Sequence, residues 1–266
     1  MKPPPFEYVA PHSIAAVLGA LGEDAKALAG GQSLVPLLNF RLARPATLVD
    51  LNGVEELAYI RRSGGTLQIG ALTRQATLER STVVARGWPL LTKAVRNVAH
   101  PAVRNRGTVG GSVAHADPAA ELPVALTALD ARFLVRSAQR GERTLAAADF
   151  FQAPLMTALA PDELLVEIEI PPPPDGAGAG FAEHARTHGD FAVAGAAVVR
   201  DGTEHAAVAL LGAGPTPVRA RDAERALRGG ASAAEAARIA GAELDDDYRR
   251  ALTTELVRRA LEEAAG

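Results

Sequence analysis

The sequence predicts an α+β protein built of two lobes and a smaller terminal unit, and three observations carry that reading. Helical and strand-like segments alternate from the start to about residue 55, and a hairpin signal at Gly64-Gly65 opens a second α/β set. The run Pro171-Pro172-Pro173-Pro174 then breaks any ladder before a strand pair followed by three helical segments. The expected division is residues 1–55 and 56–174 for the lobes and 175–266 for the terminal α+β unit, with its antiparallel sheet and helices.

In the first lobe Ile14, Val17, Leu18 and Leu21 recur at helical spacing behind Ser13, a good N-cap, so a helix is expected to about Gly22. Residues 26–29 read as a strand. Gly30-Gly31 then turns the chain, and Ser33 is placed to cap a short helix that tolerates Pro36 in its first turn. Residues 47–51 read as the next strand.

In the second lobe residues 73–80 and 88–99 read as helices, the latter burying Leu91, Val95 and Val98. Residues 108–113 are glycine-rich and read as a loop, and a helix begun by Pro118 is expected to about Leu129. Phe133-Leu134-Val135 and residues 164–170 read as strands; in the second, Val166, Ile168 and Ile170 alternate with Glu167 and Glu169. Beyond Gly180, residues 191–200 and 205–211 flank an Asp201-Gly202 turn, and helices are expected over 220–228, 232–240 and 247–264. No internal repeat is visible.

Composition excludes several classes of function. With 28 basic and 31 acidic residues well mixed, nothing points to nucleic acid or an anionic membrane. The absence of cysteine removes disulfides, thiolate nucleophiles, zinc thiolate sites and conventional iron–sulfur ligation from this chain. The opening Met1-Lys2-Pro3-Pro4-Pro5 lacks the apolar core of a signal peptide and no run reaches the length of a membrane span, so a cytoplasmic location is expected.

Two glycine-rich segments carry the candidate chemistry. Ala29-Gly30-Gly31-Gln32-Ser33-Leu34 sets two glycines and a hydroxyl between a strand and a helix, where backbone N–H groups can face a phosphate. Two adjacent glycines also serve simply to turn a chain, and the spacing is neither a dinucleotide-binding fingerprint nor a Walker motif. Arg106-Gly107-Thr108-Val109-Gly110-Gly111-Ser112 repeats the chemistry ahead of His115, Asp117 and Glu121. Two such loops can clasp one diphosphate from opposite sides while the carboxylates accept hydrogen bonds from ribose or ribityl hydroxyls.

Residues 29–52, with Val35-Pro36-Leu37-Leu38-Asn39-Phe40-Arg41, together with the 104–123 block and Gly189-Asp190-Phe191-Ala192, resemble the FAD-binding medium subunits of the molybdenum hydroxylases. That family includes aerobic carbon monoxide dehydrogenase and bacterial relatives of xanthine dehydrogenase. The likeness covers nearly the whole chain from Pro5-Phe6-Glu7-Tyr8 onward. It implies a two-lobed FAD domain of the vanillyl-alcohol-oxidase (PCMH) type and the family's small C-terminal domain. It further implies a non-covalent FAD, a small two-cluster iron–sulfur subunit, and a large subunit that carries the molybdenum cofactor and oxidises the substrate.

By that resemblance the cofactor-binding residues are Ala29, Gly30, Gly31, Gln32, Ser33 and Leu34 in the first block, and Thr108, Gly110, Gly111, Ser112, His115, Asp117 and Glu121 in the second. Leu165, Asp190 and Phe191 join them. Gln32 and Phe191 stand where carbon monoxide dehydrogenases tend to carry His and Tyr, which argues against that particular branch.

Plain structural readings stand beside these. Asp117 and Glu121 suit a helix N-terminus, Phe191 suits a core, and His115 suits a loop residue bonded to backbone. His184 and His188 read as lying on one strand face without a third metal ligand, and Asp245-Asp246-Asp247 as a solvated helix start. No catalytic residue is nominated. Two other functions remain: a stand-alone flavin oxidase of the same fold, and a nucleotide-binding assembly subunit without redox work.

Overall fold

The computed structural model describes residues 2–201 and 205–266. Met1 and Gly202, the second half of the expected Asp201-Gly202 turn, lie outside the described residues.

The first lobe comprises β1 (Glu7–Val9), α1 (Ile14–Ala20), β2 (Ala25–Leu28), α2 (Leu34–Asn39) and β3 (Thr47–Asp50). Its strands form a parallel sheet in the order β1-β3-β2. Ser13 caps α1 as expected, its hydroxyl accepting from the Ala16 N–H at 3.2 Å. Ser33 occupies the N-cap position of α2 but makes no capping bond, its backbone being αR rather than the extended conformation usual at that position. Val17, Val49, Leu51, Val54 and Leu57 bury this lobe's core against Leu164 and Val166 of the second.

The second lobe is a five-stranded antiparallel sheet, β4 (Ile60–Ser63), β5 (Thr66–Gly70), β10 (Glu163–Ile170), β6 (Arg132–Ser137) and β7 (Gly141–Ala146), in that spatial order. Gly64 and Gly65 make the expected hairpin turn. Helices α3 (Gln75–Arg80), α4 (Thr82–Gly87), α5 (Pro89–Asn97), α6 (Pro101–Arg106), α7 (Val109–His115), α8 (Glu121–Ala128) and α9 (Ala147–Phe150) pack beside it, with a small ribbon of β8 (Phe151–Ala153) and β9 (Met156–Thr157). Leu91 and Val95 of α5 are buried as the periodicity requires; Val98 falls just past its end and is half-buried.

Two local expectations are corrected. Residues 109–115 are helical rather than looped, since Thr108 caps them and neighbouring carbonyls take their first N–H groups. The next helix begins at Glu121 rather than at Pro118: Asp117 closes a turn, accepting from the Ala119 N–H at 2.8 Å, and Ala120 remains extended.

The terminal unit has a four-stranded antiparallel sheet in the order β11 (Gly178–Ala185), β12 (Ala192–Arg200), β13 (Ala206–Leu211) and β14 (Val218–Arg219). Helices α10 (Arg221–Arg228), α11 (Ala233–Gly241) and α12 (Asp247–Glu263) fall close to where the sequence places them, and Asp246 caps α12 by accepting from the Arg249 N–H. Strand alternation gives the sheet two apolar faces. Ala196, Val198, Val208 and Leu210 pack on α10–α12, while Phe181, Ala197, Val199, Ala207 and Ala209 join the core of the second lobe. His184 lies on β11 but His188 falls in the turn after it, its ring 5.9 Å from that of His100, so the two do not share a strand face.

Candidate functional site

The end of β2 delivers Ala29 and Gly30 to the edge of the parallel sheet, where a cavity of about 540 Å³ opens. Its lining includes Ala29, Gly30, Gly31, Gln32, Asn52 and Arg106. Gly31 has φ +75°, a left-handed conformation that a side chain would strain. Through residues 30–33 no backbone N–H is donated to another described residue, and the first return bond is from the Val35 N–H to the Gly31 carbonyl at 3.1 Å. Gln32 and Ser33 are exposed and Leu34 is half-buried. A row of undonated N–H groups beside an exposed guanidinium is a place for an anion.

The second block meets the first rather than facing it across a gap. A Cβ on Gly30 would clash with the Arg106 carbonyl oxygen and stand 2.8 Å from the Gly107 Cα. Gly111, in the first turn of α7, would bring its own Cβ to 3.7 Å from that of Ala29. The expectation of two loops presenting N–H groups is therefore corrected for this segment. Val109 donates to the Thr73 carbonyl and Gly110 to the Ala71 carbonyl, each at 2.9 Å, and Gly111 donates to the Thr108 hydroxyl at 3.0 Å. Gly110 is glycine because Ala71 leaves no room, its carbonyl 2.7 Å from where a Cβ would stand. Within this segment Gly111 and Ser112 are half-buried.

A polar clamp holds the lobes together here. The Arg74 guanidinium donates to the Arg106 carbonyl and, at 2.6 Å, to Asn52 Oδ1, while Asn52 Nδ2 donates to the Ala29 carbonyl at 3.0 Å. Tyr8 donates its hydroxyl to Asp50, which also accepts from the Asn52 backbone at 2.9 Å. Burial, then the neighbouring Arg106 charge, push the Arg74 pKa down. Arg74, Asn52 and Arg106 were not among the expected site residues, because no spacing rule joins positions that meet only across two lobes.

Further along, His115 ends α7 half-buried, and burial lowers its pKa against the opposing pull of Asp117. Asp117 is half-buried and committed to its turn. Glu121, the first residue of α8, is 7% exposed, and burial first, then Glu183 and Asp117, push its pKa up to about 8. Leu165 is buried on β10 beside the irregularity that separates it from Glu167.

Asp190 and Phe191 sit at the turn before β12, with Asp190 Oδ1 accepting from the Phe191 N–H at 2.9 Å. At 69% exposure Phe191 is not core, which removes that plain reading. This turn is anchored by Gly189 (φ +83°), against which the His100 ring packs so closely that a Cβ would meet its nitrogens at 2.8 Å.

Among the described residues no helix is long and apolar enough to cross a membrane, and no three His, Cys, Asp or Glu side chains form a metal-holding group.

The family described as "FAD binding domain in molybdopterin dehydrogenase" matches residues 4–173, and "CO dehydrogenase flavoprotein C-terminal domain" matches residues 179–264. The chain is 48% identical over 235 residues to the 6-hydroxypseudooxynicotine dehydrogenase complex subunit alpha of Paenarthrobacter nicotinovorans, covering 85% of this chain and 79% of that one. To the carbon monoxide dehydrogenase medium chain of Hydrogenophaga pseudoflava it is 39% identical, over 99% of this chain and 98% of the relative. A chain of quinoline 2-oxidoreductase from Pseudomonas putida 86 superimposes with a TM-score of 0.94 at 39% identity, covering 100% of this chain and 98% of that one.

Proposed function

Because the chain belongs to the family of FAD-binding domains in molybdopterin dehydrogenases, completed by the CO dehydrogenase flavoprotein C-terminal domain, we propose that it is the flavin-carrying electron-transfer subunit of a heteromeric molybdenum hydroxylase. The observation that carries this reading is the cavity at Gly30–Ser33, where undonated N–H groups and Arg106 meet beside the first turn of α7. Its donor set suits a diphosphate: several neutral N–H groups, one exposed guanidinium, and backbone kept bare by Gly30 and Gly31. Residues 1–174 then form the flavin domain and 175–266 the terminal domain that closes on it.

In this proposal Ala29, Gly30, Gly31, Gln32, Ser33 and Leu34 hold the diphosphate end with Arg106. Thr108, Gly110, Gly111 and Ser112 shape the wall behind it, and Ser112 supplies a hydroxyl. His115, Asp117 and Glu121 line the polyol stretch, while Leu165, Asp190 and Phe191 surround the ring. Phe191, exposed and apolar, is suited to cover an aromatic face. When bound, FAD accepts electrons singly or in pairs, which lets it join one-electron carriers to a two-electron acceptor. The protein's part is placement, exclusion of water and local charge.

With no cysteine here, the electrons come from iron–sulfur clusters on a small two-cluster partner, and substrate is oxidised on a large molybdenum-bearing partner in the cytoplasm. Relatives such as the 6-hydroxypseudooxynicotine dehydrogenase complex subunit support the multi-subunit setting.

The test is to purify the chain, release its cofactor by denaturation, and identify it by chromatography. FAD in stoichiometric yield is expected. The chain with flavin bound should be reduced rapidly by substrate only when reconstituted with iron–sulfur and molybdenum subunits. Released FMN, a flavin retained after denaturation, or rapid reduction of the isolated chain by an organic substrate would overturn the proposal.

A further inference from the structure

The turn that carries Phe191 rests on the second lobe through the ring of His100. Residues 186–191 join β11 to β12, and within them the Asp190 N–H donates to the Thr187 carbonyl at 3.1 Å. Gly189 stands at the bend with φ +83° and lies against the His100 ring, where a Cβ would stand 2.8 Å from each ring nitrogen. The His188 ring is 5.9 Å from the same imidazole, inclined at 58°. The His100 side chain makes no hydrogen bond or ion pair among the described residues, so what it offers the turn is a flat surface.

His100 is itself held in place by its neighbours. Ala99 before it takes a left-handed conformation, φ +42°. Arg104, 7% exposed, donates to the Val98 carbonyl at 2.9 Å and to the Ala99 carbonyl at 3.2 Å. The same guanidinium is bidentate on Glu79 of α3, at 2.9 and 3.3 Å. The His100 carbonyl accepts from the Val103 N–H at 2.9 Å and from the Arg104 N–H at 3.1 Å. The backbone on both sides of the ring is therefore fixed by bonds that do not involve the imidazole.

Helix α6 joins this seat to the cavity at Gly30. His100 precedes its first residue, and Arg106, which lines the cavity, is its last. Six steps at ~1.5 Å rise set the two Cα atoms about 9 Å apart. A dinucleotide whose diphosphate lies at Arg106 is long enough to span that distance.

We propose that His100 is a positioning residue whose ring seats the 187–191 turn on the flavin lobes and so fixes Phe191, from the terminal unit, over the flavin ring. This rests on the flavin reading above and adds the part of the second lobe on which the terminal unit's contribution depends. Position 100 needs a planar ring, since the contact is packing against Gly189. Position 189 needs glycine twice over, for the positive φ and for the close approach. Without the seat an exposed turn of this length samples several conformations, and Phe191 leaves its place.

Two arms on the full-length chain test this. In the first, hydrogen exchange of the peptide spanning 186–191 is followed by mass spectrometry in the flavin-free wild type, His100→Ala and His100→Phe. Exchange should quicken by about tenfold in His100→Ala and return to within about threefold of the wild type in His100→Phe. Unchanged exchange in His100→Ala, or no recovery in His100→Phe, would overturn the seat.

In the second arm the fluorescence of bound FAD is compared in the wild type, His100→Ala, Phe191→Leu and the double variant. Phe191→Leu should raise it by about twofold or more by uncovering the ring, and His100→Ala should raise it to a similar level. The double variant should rise no further, because His100 acts through Phe191. Additive rises, or a flavin in His100→Ala as quenched as in the wild type, would overturn the positioning role. A flavin unaltered by Phe191→Leu, or a wild type that binds no FAD, would instead overturn the flavin reading of this turn, whatever the exchange gives.

Discussion

Gly30 rests on the peptide of Arg106 so closely that its missing Cβ would clash with the Arg106 carbonyl oxygen and stand 2.9 Å from its carbon. The glycine is thus required by the protein's own lobe-to-lobe packing, apart from any ligand. Gly30→Ala must push the Arg106–Gly107 backbone away, at a cost of about 1–3 kcal/mol, and should lower both the melting temperature and FAD affinity. Calorimetry and flavin fluorescence check both, and a variant with unchanged stability would contradict the packing.

Gly31 differs in kind. A Cβ there meets Val35 at 3.2 Å and Leu28 at 3.4 Å, so space is merely tight, while φ +75° imposes strain of about 1–2 kcal/mol on alanine. Gly31→Asn, which tolerates that conformation, should recover most of the stability that Gly31→Ala loses in urea unfolding.

Arg106 is exposed and donates no side-chain hydrogen bond to the described residues, which leaves it free for a ligand. Arg106→Gln should fold normally yet bind FAD roughly tenfold or more weakly, corresponding to about 1.5–3 kcal/mol for a bond to a charged group. Titrations at rising salt should show the difference between variant and wild type shrinking.

Glu224 is 1% exposed and ties the terminal sheet to α10, accepting from Arg219 at 2.7 Å and from the Val208 N–H at 2.9 Å. Burial works to raise its pKa, but these bonds and the nearby arginines outweigh it and leave the carboxyl below its usual 4.5. Its stabilisation is therefore present above about that pH and lost as pH falls through the lowered folded value. Glu224→Gln should cost about 2–4 kcal/mol at neutral pH and progressively less in acid, as read from urea unfolding across pH.

For Glu183 the sign is reversed. A folded-state pKa raised to about 7 means its contribution is intact below the usual carboxylate range and is lost as pH climbs through that value. In the flavin-free chain Glu183→Gln should therefore raise stability by roughly 1–2 kcal/mol at pH 8.5, allowing for solvent screening, and leave it nearly unchanged near pH 4. Melting temperatures at the two pH values decide this.

Local chemistry made much of the architecture legible. The caps at Ser13 and Asp246, the hairpin at Gly64-Gly65 and the helical periods from 221 onward each depend on residues within one or two turns. Short edge strands were not legible: β7 reads Gly-Glu-Arg-Thr-Leu-Ala, polar and without alternation, and is a strand because β6 lies beside it. Helix α4 was missed between two better patterns, since its only fully buried residue is Val84.

By itself the sequence determined that two glycine-rich segments would lie at strand or helix ends, that the chain holds no thiolate chemistry, and that three helices follow a terminal strand pair. Those properties are written in neighbours. Only the tertiary structure decided that residues 109–115 are helical, because the carbonyls of Ala71 and Thr73 capture N–H groups that a glycine-rich segment would otherwise leave to solvent. It alone placed Arg74 on Asn52 and Gly30 on Arg106, pairs that are 22 and 76 positions apart. The reason is that hydrogen bonds, close packing and charge act through a few ångströms of space, while sequence patterns report only what one element does to itself.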